Sequence, residues 1–145
     1  MIDAQQNYVR NGLPVYLRLR NFPDLENQPW AQMGFSIAPT GAPVGTTDIL
    51  IAPPPAVQSL SLRNIAASEG KLRFGAKDFL ISSSFTDKQM AALGLSNETE
   101  VWSAPNVVGL VENGKLFSIE DIRFEQLAGK TVTWKLTCNA VGLGG

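Results

Sequence analysis

Several stretches of the chain alternate hydrophobic and polar residues with a period of two, and each predicts a strand. From Pro14 to Arg20, Val15, Leu17 and Leu19 fall on one face and Tyr16, Arg18 and Arg20 on the other, the pattern of a half-buried strand. Thr47 to Ile51, Val57 to Leu62 and Leu72 to Ser83 read as further strands, with Gly75 marking a bulge or a close backbone approach. The clearest signal is Val107–Val111, Asn113-Gly114, then Lys115–Ile119, a hairpin with a type I′ turn. Glu112 and Lys115 flank that turn and are expected to form an opposite-charge cross-strand pair. Ile122 to Leu127 predicts one more strand. Lys130 to Asn139 closes the pattern, with Val132, Trp134, Leu136 and Cys138 inward and Thr131, Thr133, Lys135 and Thr137 outward.

One segment breaks from this period. Thr86 as N-cap, Gln89 closing a capping box, Phe85 with Met90 as a staple, and Gly94 as a left-handed C-cap predict a short helix from Asp87 to Leu93. Ile65 to Gly70 reads as a helical or wide turn. Six to eight short strands, one short helix and long Pro- and Gly-containing loops define a mainly β fold, a small β-barrel or sandwich. The 145 residues make a single domain. Its expected decorations are an N-terminal arm over 1–12, a long loop over 21–45 and a flexible tail over 141–145.

The long loop carries Pro23, Pro29, Pro39 and Pro43, and Gly34-Phe35-Ser36-Ile37 within it is expected to pair locally. Loops of this length in compact domains are usually functional or disordered. Trp30, Met33 and Phe35 are too apolar to leave in water, so the loop is expected to pack on this chain or on a neighbour. Pro53-Pro54-Pro55 favours extended geometry and removes three backbone donors. It reads as a rigid spacer, a strand terminator or a contact for an aromatic groove. Arg18 and Arg20 read as the wet side of a strand or as cations that meet acidic groups on a partner. Arg18, Arg20, Trp30, Met33, Phe35, Pro53, Pro54 and Pro55 are thus the candidate subunit contacts.

Composition narrows the chemistry. There is no histidine and one cysteine, which removes most acid–base, nucleophilic and metal-site arrangements. Cys138 reads as a small buried hydrophobe. Gly41 to Thr47 has glycines and hydroxyls but lacks the lysine of a phosphate-binding loop. Glu120 and Asp121 are adjacent and so point to opposite faces of a strand, whereas Glu98 and Glu100 share a face as a solvated pair. Lys71, Arg73 and Lys77 with Phe74 and Phe79 suggest a basic stripe, diluted by Glu69 and Asp78. Twelve basic against thirteen acidic residues give net −1, with no global field toward nucleic acid or membranes. The expectation is a protein that is not an enzyme and uses no cofactor. It shows no signal peptide or spanning segment and no sequence-specific nucleic-acid contact.

The segment from Phe79 to Ala140 resembles small β-barrel virion proteins of tailed bacteriophages and prophages, of the head–tail connector or neck type. The resemblance rests on Asp78-Phe79-Leu80-Ile81 before a capped helix, on the hairpin Val108 to Ile119, and on Thr131-Val132-Thr133-Trp134-Lys135-Leu136-Thr137. It covers under half of the chain. It implies a ring-forming neck, stopper or tail-terminator subunit, made in the bacterial cytoplasm and located in the virion. Its partners would be further copies of itself and portal, adaptor or tail proteins. A capsid decoration protein is the nearest alternative. A non-viral barrel binding a small ligand or peptide, with Trp102, Trp134 and Phe117 lining a pocket, is the other.

Overall fold

The computed structural model describes residues 14–25, 28–37 and 42–141. The fold is mainly β: seven antiparallel strands form one sheet curled into a half-barrel. The strands are β1 (Val15–Arg20), β2 (Thr46–Leu50), β3 (Ala56–Ser59), β4 (Lys77–Ser82), β5 (Val107–Glu112), β6 (Lys115–Leu127) and β7 (Lys130–Ala140), and the spatial order is β2-β1-β5-β6-β7-β4-β3. Two helices, α1 (Leu62–Ala67) and α2 (Ser83–Leu93), interrupt them. The N-terminal arm over 1–12 and most of the tail over 141–145 lie outside the described residues.

The concave face carries the alternating apolar positions. Val15, Leu17, Leu19, Ile49, Leu110, Phe79, Ile81, Phe117, Trp134, Leu136 and Cys138 are all buried in one core. The open side of the half-barrel is filled by α2 and by the two longest loops. Phe85 of α2 meets Phe35 edge-on at 5.6 Å and stacks on Trp102 at 6.3 Å, while Trp30 stacks on Phe22 at 5.6 Å. The loop after β1 is therefore folded onto its own chain. The Gln28 side chain pins it, accepting from the Phe22 N–H and donating to the Phe22 and Leu25 carbonyls. The Lys88 ammonium donates to the Gly34 carbonyl and lies 5.0 Å over the Phe35 ring. The expected local pairing near Phe35 is present: Ile37 bridges Ile49, and Leu50 N–H donates to Ser36.

Several boundaries differ from the sequence expectation. The helix α2 begins four residues earlier than predicted, with Ser82 as N-cap accepting from Ser84 N–H. Thr86 bonds back to the Ser83 carbonyl instead, and Gln89 is buried and reaches the Val101 carbonyl. The serine run supplies an earlier cap, which places Phe85 one turn inside the helix where the core needs it. Gly94 closes α2 as expected, in the left-handed region at φ 70°. The strand expected from Leu72 starts only at Lys77. Gly70 and Gly75 turn the chain with positive φ, and Asn139 captures the loop by accepting from Arg73 N–H and donating to the Lys71 carbonyl. The strand expected to run to Leu62 ends at Ser59, because Ser61 caps α1 by accepting from Asn64 N–H. Glu98 and Glu100 lie in a 3-10 turn, where Glu98 accepts from the Thr131 hydroxyl.

The hairpin turn has Asn113 at φ 52° and Gly114 at φ 75°, the type I′ signs. Glu112 and Lys115 stand opposite each other, yet the carboxylate's ion pair is with Lys77 at 2.6 Å. Lys77 and Glu112 both face the concave side, so this pair spans the mouth of the half-barrel from β4 to β5. The two C-terminal strands expected at 115–119 and 122–127 are one long strand, β6, with a bulge between Ile119 and Asp121.

Candidate interaction surface

The predicted contact residues separate into two groups. Trp30 is fully buried, Phe35 is 7 % exposed, and Pro55 is buried. These three serve the chain's own core and do not present a surface. Arg18 is likewise satisfied internally: its guanidinium donates to both oxygens of Asp48 on the neighbouring strand, at 2.8 and 2.9 Å. The bidentate bond to Asp48 and its negative charge raise the Arg18 pKa further, outweighing the partial burial that acts to lower it. The expected acidic partner of Arg18 is thus in cis. Arg20, Pro53 and Pro54 are exposed, and Met33 is half-buried. Arg20 donates to the Pro105 carbonyl and ties the end of β1 to the loop that precedes β5. Nothing brings these four together into one patch.

The aromatic pocket imagined around Trp102, Trp134 and Phe117 is packed core, with each residue at most 2 % exposed. The suggested basic stripe is also dispersed. Phe79 is in the core and Lys77 is paired with Glu112 beside the Phe117 ring, which leaves Lys71, Arg73 and Phe74 exposed in the turn before β4. Cys138 is buried as expected; burial raises its thiol pKa, reinforced by the Asp78 and Glu120 carboxylates. Its sulfur is not a nucleophile in the folded state.

The convex face has a polar cleft of about 410 Å³ between α1 and strands β4, β7 and β6. Its floor is a row of paired charges. Asp78 accepts from the Thr137 hydroxyl at 2.6 Å and lies 3.6 Å from Lys135, and Asp121 lies 3.0 Å from Arg123 and 4.0 Å from Lys71. Three cations, Lys71, Arg123 and Lys135, stand against two carboxylates, Asp78 and Asp121, so the lining keeps one positive charge in excess. Among the described residues no group of three or more potential ligands has metal-site proximity.

A feature that alternation could not reveal lies in the middle of the sheet. β5 and β6 pair only at Leu110–Phe117, Val111–Leu116 and Glu112–Lys115. At Gly109 the Phe117 carbonyl oxygen occupies the place where a Cβ would stand. Only glycine permits that approach. Beyond it the two strands diverge, and β6 continues alongside β7 alone. Among the described residues, no backbone group from Ser118 to Leu127 bonds to anything but β7. The β4 ladder on the other side of the hairpin ends at Ser82–Thr133. Beyond Thr133 the hairpin projects as a two-stranded tip, and apolar side chains on it and at its base stand in water: Leu127 is 71 % exposed, Val132 39 % and Phe124, beside Trp134, 44 %. Val132 was expected inward, but its position is the extra residue of a second bulge, opposite Glu125–Gln126.

Among the described residues no helix is long and apolar enough to cross a membrane. Comparison with family models, with curated proteins and with solved structures finds no match.

Proposed function

We propose that the chain is a structural subunit of a tailed-phage virion, a ring-forming head–tail connector or tail-terminator protein, and not an enzyme. The observation that carries this reading is the open half-barrel itself. Among the described residues a long strand edge is left unpaired in mid-sheet, and the hairpin holds three apolar side chains in solvent along and beyond it. Monomers normally blunt or cover such edges, and exposed apolar residues grouped at a tip mark a surface that meets another protein. The scarcity of reactive side chains favours a role in shape and contact over catalysis. The resemblance of the Phe79–Ala140 region to neck-type proteins supplies the particle.

Heterologous ring contacts need two different patches on each subunit, and the β6–β7 tip and the exposed Arg20, Pro53 and Pro54 surfaces provide distinct ones. Neighbouring portal, adaptor or tail proteins are the remaining partners. The test is deletion of the gene from the phage or prophage that carries it. Particles made without the protein are expected to lose packaged DNA or to fail to join tails, with both defects restored by supplying the chain in trans. Normal infectious particles without it would refute the proposal.

A further inference from the structure

We infer that β6 pairs with β6 of a second copy of this chain, antiparallel and about a two-fold axis at Phe124. This inference is independent of the virion reading, because it rests on the edge that the described residues leave open, not on the particle. The bulge near Glu120 lies at the start of the free edge. The stretch Asp121-Ile122-Arg123-Phe124-Glu125-Gln126-Leu127 beyond it contains neither lysine nor proline, two residues that commonly protect an edge.

This stretch is self-complementary about Phe124; pairing about Ile122 would also set Asp121 opposite Arg123, but it puts the bulged Glu120 against Phe124. A two-fold axis perpendicular to the sheet sets residues of the same face opposite each other. Centred on Phe124, it places the two Phe124 rings together, Arg123 opposite the second copy's Glu125 twice, and Ile122 opposite Gln126. Shifting the centre to Arg123 sets the two arginines against each other and Asp121 against Glu125, so like charges select against that alternative. Phe124 is already anchored from below by Trp134, at 5.4 Å between ring centres. Arg123 and Glu125 are exposed and free to turn toward a neighbour, since the Arg123–Asp121 contact at 3.0 Å is made in water. Pairing would give the unbonded backbone groups of β6 their partners and cover Phe124. An isologous contact closes on two chains, which leaves the remaining surfaces to ring neighbours.

Sedimentation velocity of the full chain is expected to show a monomer–dimer equilibrium. Arg123→Glu alone and Glu125→Arg alone each set like charges opposite each other twice, and each is expected to weaken the dimer about ten-fold. The double exchange restores the opposite pairs and the dimer. All these positions are exposed, so circular dichroism and melting should be unchanged in every variant. The register has its own readout. Residues facing each other in an antiparallel pair have Cα atoms about 4.5–5.5 Å apart, which suits a disulfide. Phe124→Cys should therefore cross-link two chains under mild oxidation by copper phenanthroline, whereas Leu127→Cys, opposite Asp121, should not. A chain that stays monomeric to millimolar concentration overturns the inference, as does a dimer indifferent to the charge exchange or cross-linked at 127 and not at 124. A dimer in a protein whose deletion leaves infectious particles would retain this pairing and refute only the virion role.

Discussion

The Arg18–Asp48 pair allows a quantitative test of how the sheet is held at its β1–β2 end. Asp48 is 5 % and Arg18 13 % exposed at the side chain, and the two bond in a bidentate arrangement across neighbouring strands. Replacing Asp48 by Ala leaves a guanidinium held out of water without its counter-charge. Breaking one side of a buried pair costs about 3–5 kcal/mol, and the slight exposure of Arg18 puts the expectation at the lower end, about 3 kcal/mol. Unfolding entropy of about 2.1 cal/mol/K per residue amounts to about 0.3 kcal/mol/K over 145 residues, so the melting temperature should fall by roughly 10 °C. Differential scanning calorimetry with urea titration checks both numbers. The companion variant, Arg18→Met with Asp48→Val, removes both charges and stays close to the parent volume. It should lie within about 1 kcal/mol of the parent, since a buried ion pair is replaceable by apolar packing. A drop of less than about 3 °C for Asp48→Ala, which corresponds to about 1 kcal/mol, would refute the reasoning. Arg18 would then reach water when freed, and the pair would not bear on the stability of the edge.

Two other outcomes follow from the geometry. Gly109→Ala should lower stability by about 2–3 kcal/mol in urea titration, because the added methyl meets the Phe117 carbonyl, a backbone atom that cannot rotate away; an unchanged midpoint would mean that the strand crossing is loose. Cys138 has a raised folded pKa, so above about pH 9 the unfolded chain loses the thiol proton and the folded chain keeps it. Stability carried by this group is therefore complete below that pH and declines above it, by up to about 1.4 kcal/mol per pH unit relative to Cys138→Ala. Parallel stability–pH curves for parent and variant between pH 9 and 11 would contradict the buried thiol.

Strands and core were legible wherever a two-residue period met a turn signal. Val15, Leu17 and Leu19 on β1, Asn113-Gly114 between β5 and β6, and Trp134, Leu136 and Cys138 on β7 all occupy the expected faces. Some misplacements were local, as where Ser82 and Ser61 cap helices earlier than expected, and others came from side chains redirected by distant partners. Asn139 folds residues 71–73 into a turn from the far end of the chain, and Lys77 draws Glu112 away from Lys115. Trp30 and Phe35 were recognisable as residues that must be covered, but what covers them was not. That answer depends on α2 and on the loop around Trp102, remote in sequence. The candidate contact surface was the least legible part. The free edge of β6 arises from a divergence at Gly109, and a glycine in an apolar strand carries no mark of the carbonyl that will sit against it.

The order of strands also governs when the molecule is able to form. β1 to β4, which leave the ribosome first, occupy the flanks, while β5, β6 and β7 hold the centre and emerge afterwards. β1 and β4 have no contact with each other across the sheet until those three lie between them. A nascent chain interrupted before Val107 consists of borders without a middle. The protein must therefore be gathered around its late-made meander, and its assembly into one body waits on translation having passed Ala140.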